Sequence, residues 1–376
     1  MCRQWLWSLV LMAAGFSCAS QETRHARVPD RLLLHVVSQM EDPESGASPG
    51  EQSLIHWLYL IDVPQQRVLA EVCLGVWAMA SYCEESRAVW VAQRHGRNHE
   101  ATRLREFRLP DLVSNSEVTL PIELHVPTDA LGRFHCNDQM VVLEPRQVVL
   151  IGSLLGEAGS CLLRISVSGP DHADIASLNA GRDDFVDLLR PAAGKALLLS
   201  SKGDALLVAA EGNRLHQKAD RGLTPIEPKA EYVEWIHNAA YDSRDQSIVA
   251  ATLLGRILRR RGEGKTTVIE TTATIPEQIA LDPTGRVAAI RHLKDPNTGA
   301  NGLVIVDLDR GEEIATLALP SDGAIFQIDA STTLFADGPT LKLLDRSKGD
   351  KAVPQELFRL KGVPVERILK IVAVGP

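Results

Sequence analysis

Aromatic side chains are scarce in this chain, Phe, Trp and Tyr together making up 5% of 376 residues. Basic charge is short as well, since 40 Lys and Arg stand against 48 Asp and Glu and leave a net charge of -8. That balance excludes the broad basic surface that draws a protein onto phosphates, and with it nucleic acid as a partner. No apolar run approaches the roughly 20 residues that carry a helix across a bilayer. A phosphate-cradling Gly-rich loop, a paired Cys-x-x-Cys and a nucleophile elbow set between a strand and a helix do not emerge, so nucleotide and nucleophilic chemistry find no anchor. A Pro/Gly/Ser-rich linker is missing from the middle of the chain, which argues against two β-sandwiches in tandem. What is present is ordinary globular composition, 45% hydrophobic and 23% charged. That suffices for a large core and is incompatible with a mainly disordered chain.

The N-terminus reads as an address. Arg3 is followed by an apolar run from Trp5 to Phe16 and then by the small residues Ser17, Cys18, Ala19 and Ser20. Charge, short apolar core and small residues in that order predict a secretory signal over residues 1–20, a short extension over 21–30 and one exported, periplasmic domain over 31–376. The large Phe16 fits lipid attachment at Cys18 poorly. Loss of the signal removes Cys2 and Cys18 and leaves Cys73, Cys83, Cys136 and Cys161. In an oxidising compartment four cysteines permit two disulfides in three connectivities; the alternative is free buried thiols.

A repeat underlies the strand pattern. The hairpin Trp57–Asp62, turn at Pro64-Gln65-Gln66, then Val68–Val72, returns at 104–121, 161–178, 204–216, 254–271, 302–320 and 340–360. Successive copies lie about 47 residues apart on average, the period of a four-stranded propeller blade. Two further strand-like stretches fall between hairpins, as in Gln278–Leu281 and Arg286–Ile290 around the turn Asp282-Pro283-Thr284-Gly285, where Pro fixes φ and Gly supplies positive φ. The expected fold is therefore all-β: a seven-bladed β-propeller of four-stranded antiparallel blades. Residues 365–374 read as an innermost strand without neighbours of its own, and Leu32–Val37 as an outer strand lacking its inner neighbour. Pairing these N- and C-terminal strands closes the ring and removes a free sheet edge. Met40 to Gln52, polar and rich in Pro and Gly, reads as a long surface loop.

Chemistry is thin on the ground. His95 and His99 are four apart but flank Gly96 and Asn98 in an expected loop rather than on one helix face, so they do not make a zinc pair. His135, beside Cys136, and His292 are isolated and read as structural histidines. Arg256, Arg259, Arg260, Arg261 and Lys265 form the one dense basic cluster, expected to be a solvated hairpin tip. Trp57, Trp77, Trp90 and Trp235 fall on or beside predicted strands. Trp77 opens the inner-strand segment Val76–Ala80, and its reading lies between core packing and an aromatic lining for a ligand or partner.

The stretch Glu231–Asp242 followed by 247–258, and the block 279–330 with its long loop Arg291–Gly299 ahead of Leu303–Ile314, resemble the heavy subunit of quinoprotein methylamine and aromatic amine dehydrogenases. Weaker collinear stretches run over 60–75 and 89–121. The resemblance implies a periplasmic seven-bladed propeller that carries no cofactor and no catalytic residue. It implies a small, light partner subunit bearing tryptophan tryptophylquinone, which oxidises primary amines, and a copper protein or cytochrome that accepts the electrons. The family's cysteine pair in the fourth blade corresponds here to Phe185 and Ser200. Its aromatic residue at the substrate entrance falls at Val76 or Trp77, of which Trp77 keeps a ring. The alternative is an exported binding or scaffold propeller without redox activity.

Overall fold

The computed structural model describes residues 28–41, 52–95, 101–124, 140–154, 161–169, 172–178, 185–211, 214–220, 223, 235–295, 300–362 and 365–375. They form seven antiparallel sheets arranged as blades. The first three strands are β1 (Arg31–Glu41), β2 (Gln52–Asp62) and β3 (Arg67–Val76). Blade 2 comprises β4 (Ala78–Cys83), β5 (Ala88–His95), β6 (Ala101–Arg108) and β7 (Val113–Leu120). Blade 3 holds β8 (Ile122–Leu124), β9 (Met140–Glu144), β10 (Gln147–Leu154), β11 (Cys161–Gly169) and β12 (His172–Leu178). Blade 4 has β13 (Phe185–Ala192), β14 (Lys195–Ser200), β15 (Ala205–Glu211) and β16 (Arg214–Asp220). Blade 5 has β17 (Ile236–Asp242), β18 (Ser247–Thr252), β19 (Arg256–Arg261) and β20 (Thr266–Glu270). Blade 6 follows with β21 (Pro276–Leu281), β22 (Val287–Asp295), β23 (Ala300–Asp307) and β24 (Glu312–Leu319). Blade 7 has β25 (Ile325–Gln327), β26 (Thr332–Asp337), β27 (Thr340–Asp345) and β28 (Gln355–Arg359). The last strand, β29 (Val365–Ala373), pairs with β1, so blade 1 reads β29-β1-β2-β3 and the chain ends zip the ring shut. The expected seven-bladed propeller is what the chain forms.

Its core is divided among the seven blade junctions. Leu32, Leu34 and Val36 pack with Leu334 and Phe358 of blade 7, while Leu33 on the opposite face of β1 packs with Val89 and Val91 of blade 2. Comparable clusters fill the five remaining junctions. A strand with a neighbour blade on each face must be apolar on both. This is why second strands read as unbroken runs, such as 89–92 in blade 2 and 248–251 in blade 5, all buried. Outer strands face water on one side and alternate, as β24 does from Glu312 to Leu319.

Four features of the structure depart from what the sequence predicts. Met40, Glu41 and Gln52 belong to the paired strands β1 and β2, so the loop between them is shorter than expected, and 42–51 lie outside the described residues. Arg291 to Asp295, expected as loop, continue β22, and Arg291, His292 and Leu293 are buried. Blade 3 has its inner position filled by two strands, because both β8 and β9 pair with β10. Finally, the basic cluster is not a solvated tip, since Arg259 and Arg260 are each only 4% exposed. Arg259 is drawn inward by acceptors of the next blade and of its own: it donates to Leu308 O and Asp309 Oδ1 at 3.0 Å each and to Gly285 O at 3.0 Å, all in blade 6, and to Asp245 Oδ2 in blade 5 at 3.2 Å.

The turn before β22 shows how local chemistry sets this up. Asp282 accepts from the N–H groups of Thr284, Arg286 and Val287, and Gly285 N–H closes back on Asp282 O at 2.8 Å. Gly285 sits at φ +61, and a Cβ there would stand 1.7 Å from Asp242 Oδ2. Only glycine lets the turn approach blade 5 closely enough to present its carbonyl to Arg259.

Candidate functional site

Antiparallel connectivity gives the ring two unlike faces. One carries the turns from first to second and from third to fourth strands. The other, called here the interblade face, carries the links between blades and the turns from second to third strands. The polar residues that sequence reasoning missed gather on this second face.

At the start of each inner strand in blades 4, 5 and 6 the register slips by one residue, and a polar side chain follows the slip: Asp187, Asn238 and Gln278. Each reaches the next blade. Asp187 Oδ2 accepts from Ala239 N at 2.9 Å, Asn238 Oδ1 from Ile279 N at 2.8 Å and Gln278 Oε1 from Ile325 N at 2.7 Å. A slip leaves a backbone donor unpaired, and the neighbouring side chain satisfies it. Asp, Asn and Gln recurring roughly every 45 residues near the start of an apolar strand is a legible signal.

In blade 1 the corresponding slip precedes Arg367, and there the device becomes ionic. Arg367 pairs with Asp322 in the link before blade 7, and Asp322 also pairs with Arg291 of blade 6. Arg291, whose side chain is 1% exposed, holds Glu277 through a 3.0 Å contact. Glu277, Arg291, Asp322 and Arg367 thus make a charge-balanced chain across blades 6, 7 and 1. Beyond it lie two buried histidines, His35 and His56, with Nε2 of the first 2.9 Å from Nδ1 of the second. Burial, with the positive charge of Arg367 nearby, pushes His56 down to about 3. Burial, His56 and Lys370 hold His35 well below the ordinary imidazole range. Both rings are therefore neutral near pH 7, one donating and one accepting.

The links themselves carry aromatic side chains. Trp77 connects β3 to β4, and its carbonyl accepts from Arg94 N at 3.2 Å. Trp235 occupies the same position before β17, accepting from Leu253 N at 3.0 Å, and Ile275 before β21, accepting from Leu293 N at 3.1 Å. Trp77 adopts φ 55 and Ile275 φ 46, left-handed values that side chains with a Cβ seldom take. The guanidinium of Arg94 lies 5.0 Å from the centre of the Trp77 ring. Trp235 is 50% exposed. The four tryptophans singled out in the sequence therefore divide. Trp90 is core, and Trp57 is half-buried with its indole donating to Ser38 Oγ at 3.0 Å. Trp77 and Trp235 share the interblade face. Val76, half-buried, ends β3 and pairs with Ile55.

The remaining candidates fall as follows. Cys73, Cys83 and Cys161 are free thiols on three different strands, and no two of them are cross-strand partners. His135 and Cys136 lie outside the described residues, as do His99 and the turn that follows His95 at the end of β5. His292 accepts from Thr274 N through Nδ1 at 3.1 Å, but its buried Nε2 has no partner. Among the described residues no group of three or more His, Cys, Asp or Glu side chains is placed to hold a metal ion, and no helix is long and apolar enough to cross a membrane. Residues Gly46-Ala47-Ser48-Pro49-Gly50 fit the letters of a nucleophile elbow, a match the sequence reading passed over. They connect two antiparallel strands rather than a strand and a helix and lie outside the described residues.

Neither a protein-family model nor a curated relative matches this sequence. Solved structures do. A periplasmic gluconolactonase of Pseudomonas aeruginosa superposes with a TM-score of 0.58 at 12% identity, covering 92% of this chain and 99% of its own. Apo AztD from Citrobacter koseri gives 0.53 at 13% identity over 92% of this chain and 98% of its own. The dihydro-heme d1 dehydrogenase NirN gives 0.53 at 16% identity over 94% of this chain and 77% of its own. The shared property is the propeller fold. At such identities the likeness reaches no further, and a propeller hosts many unrelated activities.

Proposed function

We propose that this chain is an exported propeller that works by binding rather than by catalysis, its interblade face seating a protein partner. The observation that carries this reading is the pair Trp77 and Trp235, presented at equivalent links of one face on backbone held by the adjoining strands. Tryptophan anchors on a rigid support are the side chains that most often dominate the energy of a protein contact. The order of charge, apolar run and small residues at the N-terminus supports export to the periplasm.

In its finer form the proposal takes the partner to be the quinone-bearing small subunit of an amine dehydrogenase, with a copper protein or cytochrome downstream and no cofactor in this chain. Favouring it, Phe185 and Ser200, the positions where the resembling family has cysteines, are cross-strand partners in blade 4. Trp77 would then be the aromatic at the substrate entrance. The test is purification of the tagged chain from its native host, with a Trp77→Ala, Trp235→Ala variant alongside. A small chain with quinone absorbance and amine-dependent dye reduction is expected, and it should be lost in the variant. A different partner lost in the variant would retain the binding reading and remove the amine dehydrogenase one. Partners indifferent to both tryptophans would overturn both.

A further inference from the structure

The face opposite the tryptophans carries a charge pattern that the function above does not use. Most arginines among the described residues are paired. Arg244 is held by Asp242, Arg259 and Arg261 by Asp245 and Asp309, Arg286 by Asp309, and Arg190 by Glu85 across the ring. At the turns of blades 1, 2 and 3 the pattern breaks. Arg31, Arg87, Arg108 and Arg146 line one cavity of about 670 Å3. Arg31, Arg108 and Arg146 have no carboxylate or carbonyl partner among the described residues, and Arg87 reaches only the backbone carbonyl of Gly375, at 3.3 Å. The one acidic side chain in the lining, Glu106, is 4% exposed and already accepts from Asn115. The shielded hydroxyl of Ser86, also in the lining, has no partner.

Two of these arginines are placed there at a conformational cost. Arg87 and Arg146 precede the second strands of blades 2 and 3 with φ 50 and φ 65. The residue directly before the second strand is glycine in blade 4, Gly194 with φ 69, and Gln246 with φ 56 in blade 5. A residue with a Cβ held at left-handed φ where glycine would serve better points to a use for its side chain. Four guanidinium groups against one carboxylate, in a protein whose net charge is -8, form a local positive field with room for a ligand of small-metabolite size.

We infer that this cavity binds a multiply charged oxyanion, a phosphate or phosphomonoester group. The guanidinium groups would grip it through paired N–H donors and the Ser86 hydroxyl would complete the set. The carrier of that group is either a soluble metabolite or a lipid headgroup, and the experiment separates them. The full chain is titrated calorimetrically with glucose 6-phosphate and with inorganic phosphate, against glucose at matched ionic strength. It is also sedimented with vesicles of phosphatidic acid and of phosphatidylcholine. The decisive variant is Arg87→Gly, Arg146→Gly, because it removes two cations and relieves two strained turns. Saturable binding of the phosphate-bearing probe is expected, weakened at least tenfold in this variant, while its melting temperature stays level or rises. Arg108→Gln, at the end of β6 with ordinary φ, should weaken binding in the same sense. Retention on phosphatidic acid vesicles alone, lost in the double glycine variant, would keep the oxyanion chemistry and make the carrier a lipid. Absence of binding to every anionic probe, or affinity unchanged by the double substitution, overturns the inference.

Discussion

Replacing Asp322 by Asn tests the ionic chain at its middle link. The carboxylate pairs with Arg291 and accepts from Arg367, so neutralising it weakens two ionic contacts while leaving shape and volume almost unchanged. Such contacts contribute about 1.5–3 kcal/mol each. Asp322 is 21% exposed, so solvent recovers part of the loss, and about 3 kcal/mol is the expected cost. At about 2.1 cal/mol/K of unfolding entropy per residue, a domain of this length has a midpoint entropy near 0.7 kcal/mol/K. The melting temperature should therefore fall by about 4 °C. Differential scanning calorimetry reads this directly, and the drop should change little with added salt because the partners are buried. Adding Arg367→Met to the variant removes one of the two cations facing the neutralised Asp322 and should recover roughly half of the loss, a coupling that a double-mutant cycle isolates. A drop below about 1 °C, or strictly additive effects of the two substitutions, would refute the idea that this chain ties blades 6, 7 and 1 together.

Three further outcomes follow from the same structure. Gly285→Ala meets both the positive φ and the Asp242 carboxylate and should cost about 2 kcal/mol or more, with the Arg259 contacts disturbed; a melting temperature equal to wild type would show the turn to be free to move. His56, lowered to about 3, and His35, lowered well below its usual value, bind protons more readily unfolded than folded. Their contribution is complete above about pH 6.5 and is lost as pH falls below it, for His56 down to about 3, at up to about 1.4 kcal/mol per pH unit for each ring. Chemical denaturation of a His35→Phe, His56→Leu variant between pH 7 and pH 4.5 should accordingly show a flatter pH dependence than wild type, and parallel curves would contradict the assignment. Trp235→Ala, at a half-exposed site, should leave the melting temperature within about 1 °C while abolishing retention of the partner; a large loss of stability would instead assign that ring to the core.

The fold was legible because its signals are local. Each hairpin carries its own alternation and its own turn residues, as in 276–290 around Asp282-Pro283-Thr284-Gly285, and seven repetitions of a weak signal make a strong one. Ring closure was legible too, since 365–374 and 32–37 each read as a strand short of a neighbour. The site was less so. Trp77 could be picked out as a ring beside an inner strand, but nothing near it in the sequence indicates that Trp235 shares its face. The recurring Asp187, Asn238 and Gln278 were readable in principle, as a polar residue at one place in successive blades.

What the sequence determined by itself, then, is the blade: strand period, turn chemistry and repeat length are properties of neighbours along the chain. What only the tertiary structure decided is which charges meet. Arg259 was expected in water and is buried, because its acceptors, Leu308 O, Gly285 O and Asp309, come from the next blade. Arg291 finds Asp322 in the following link, and Asp322 finds Arg367 on the strand that closes the ring. Partners brought together by packing tens of residues apart leave no periodic trace. Whether an arginine is clamped, as at blade 5, or left open to a ligand, as at the turns of blades 1 to 3, is settled by what the adjacent blade offers it.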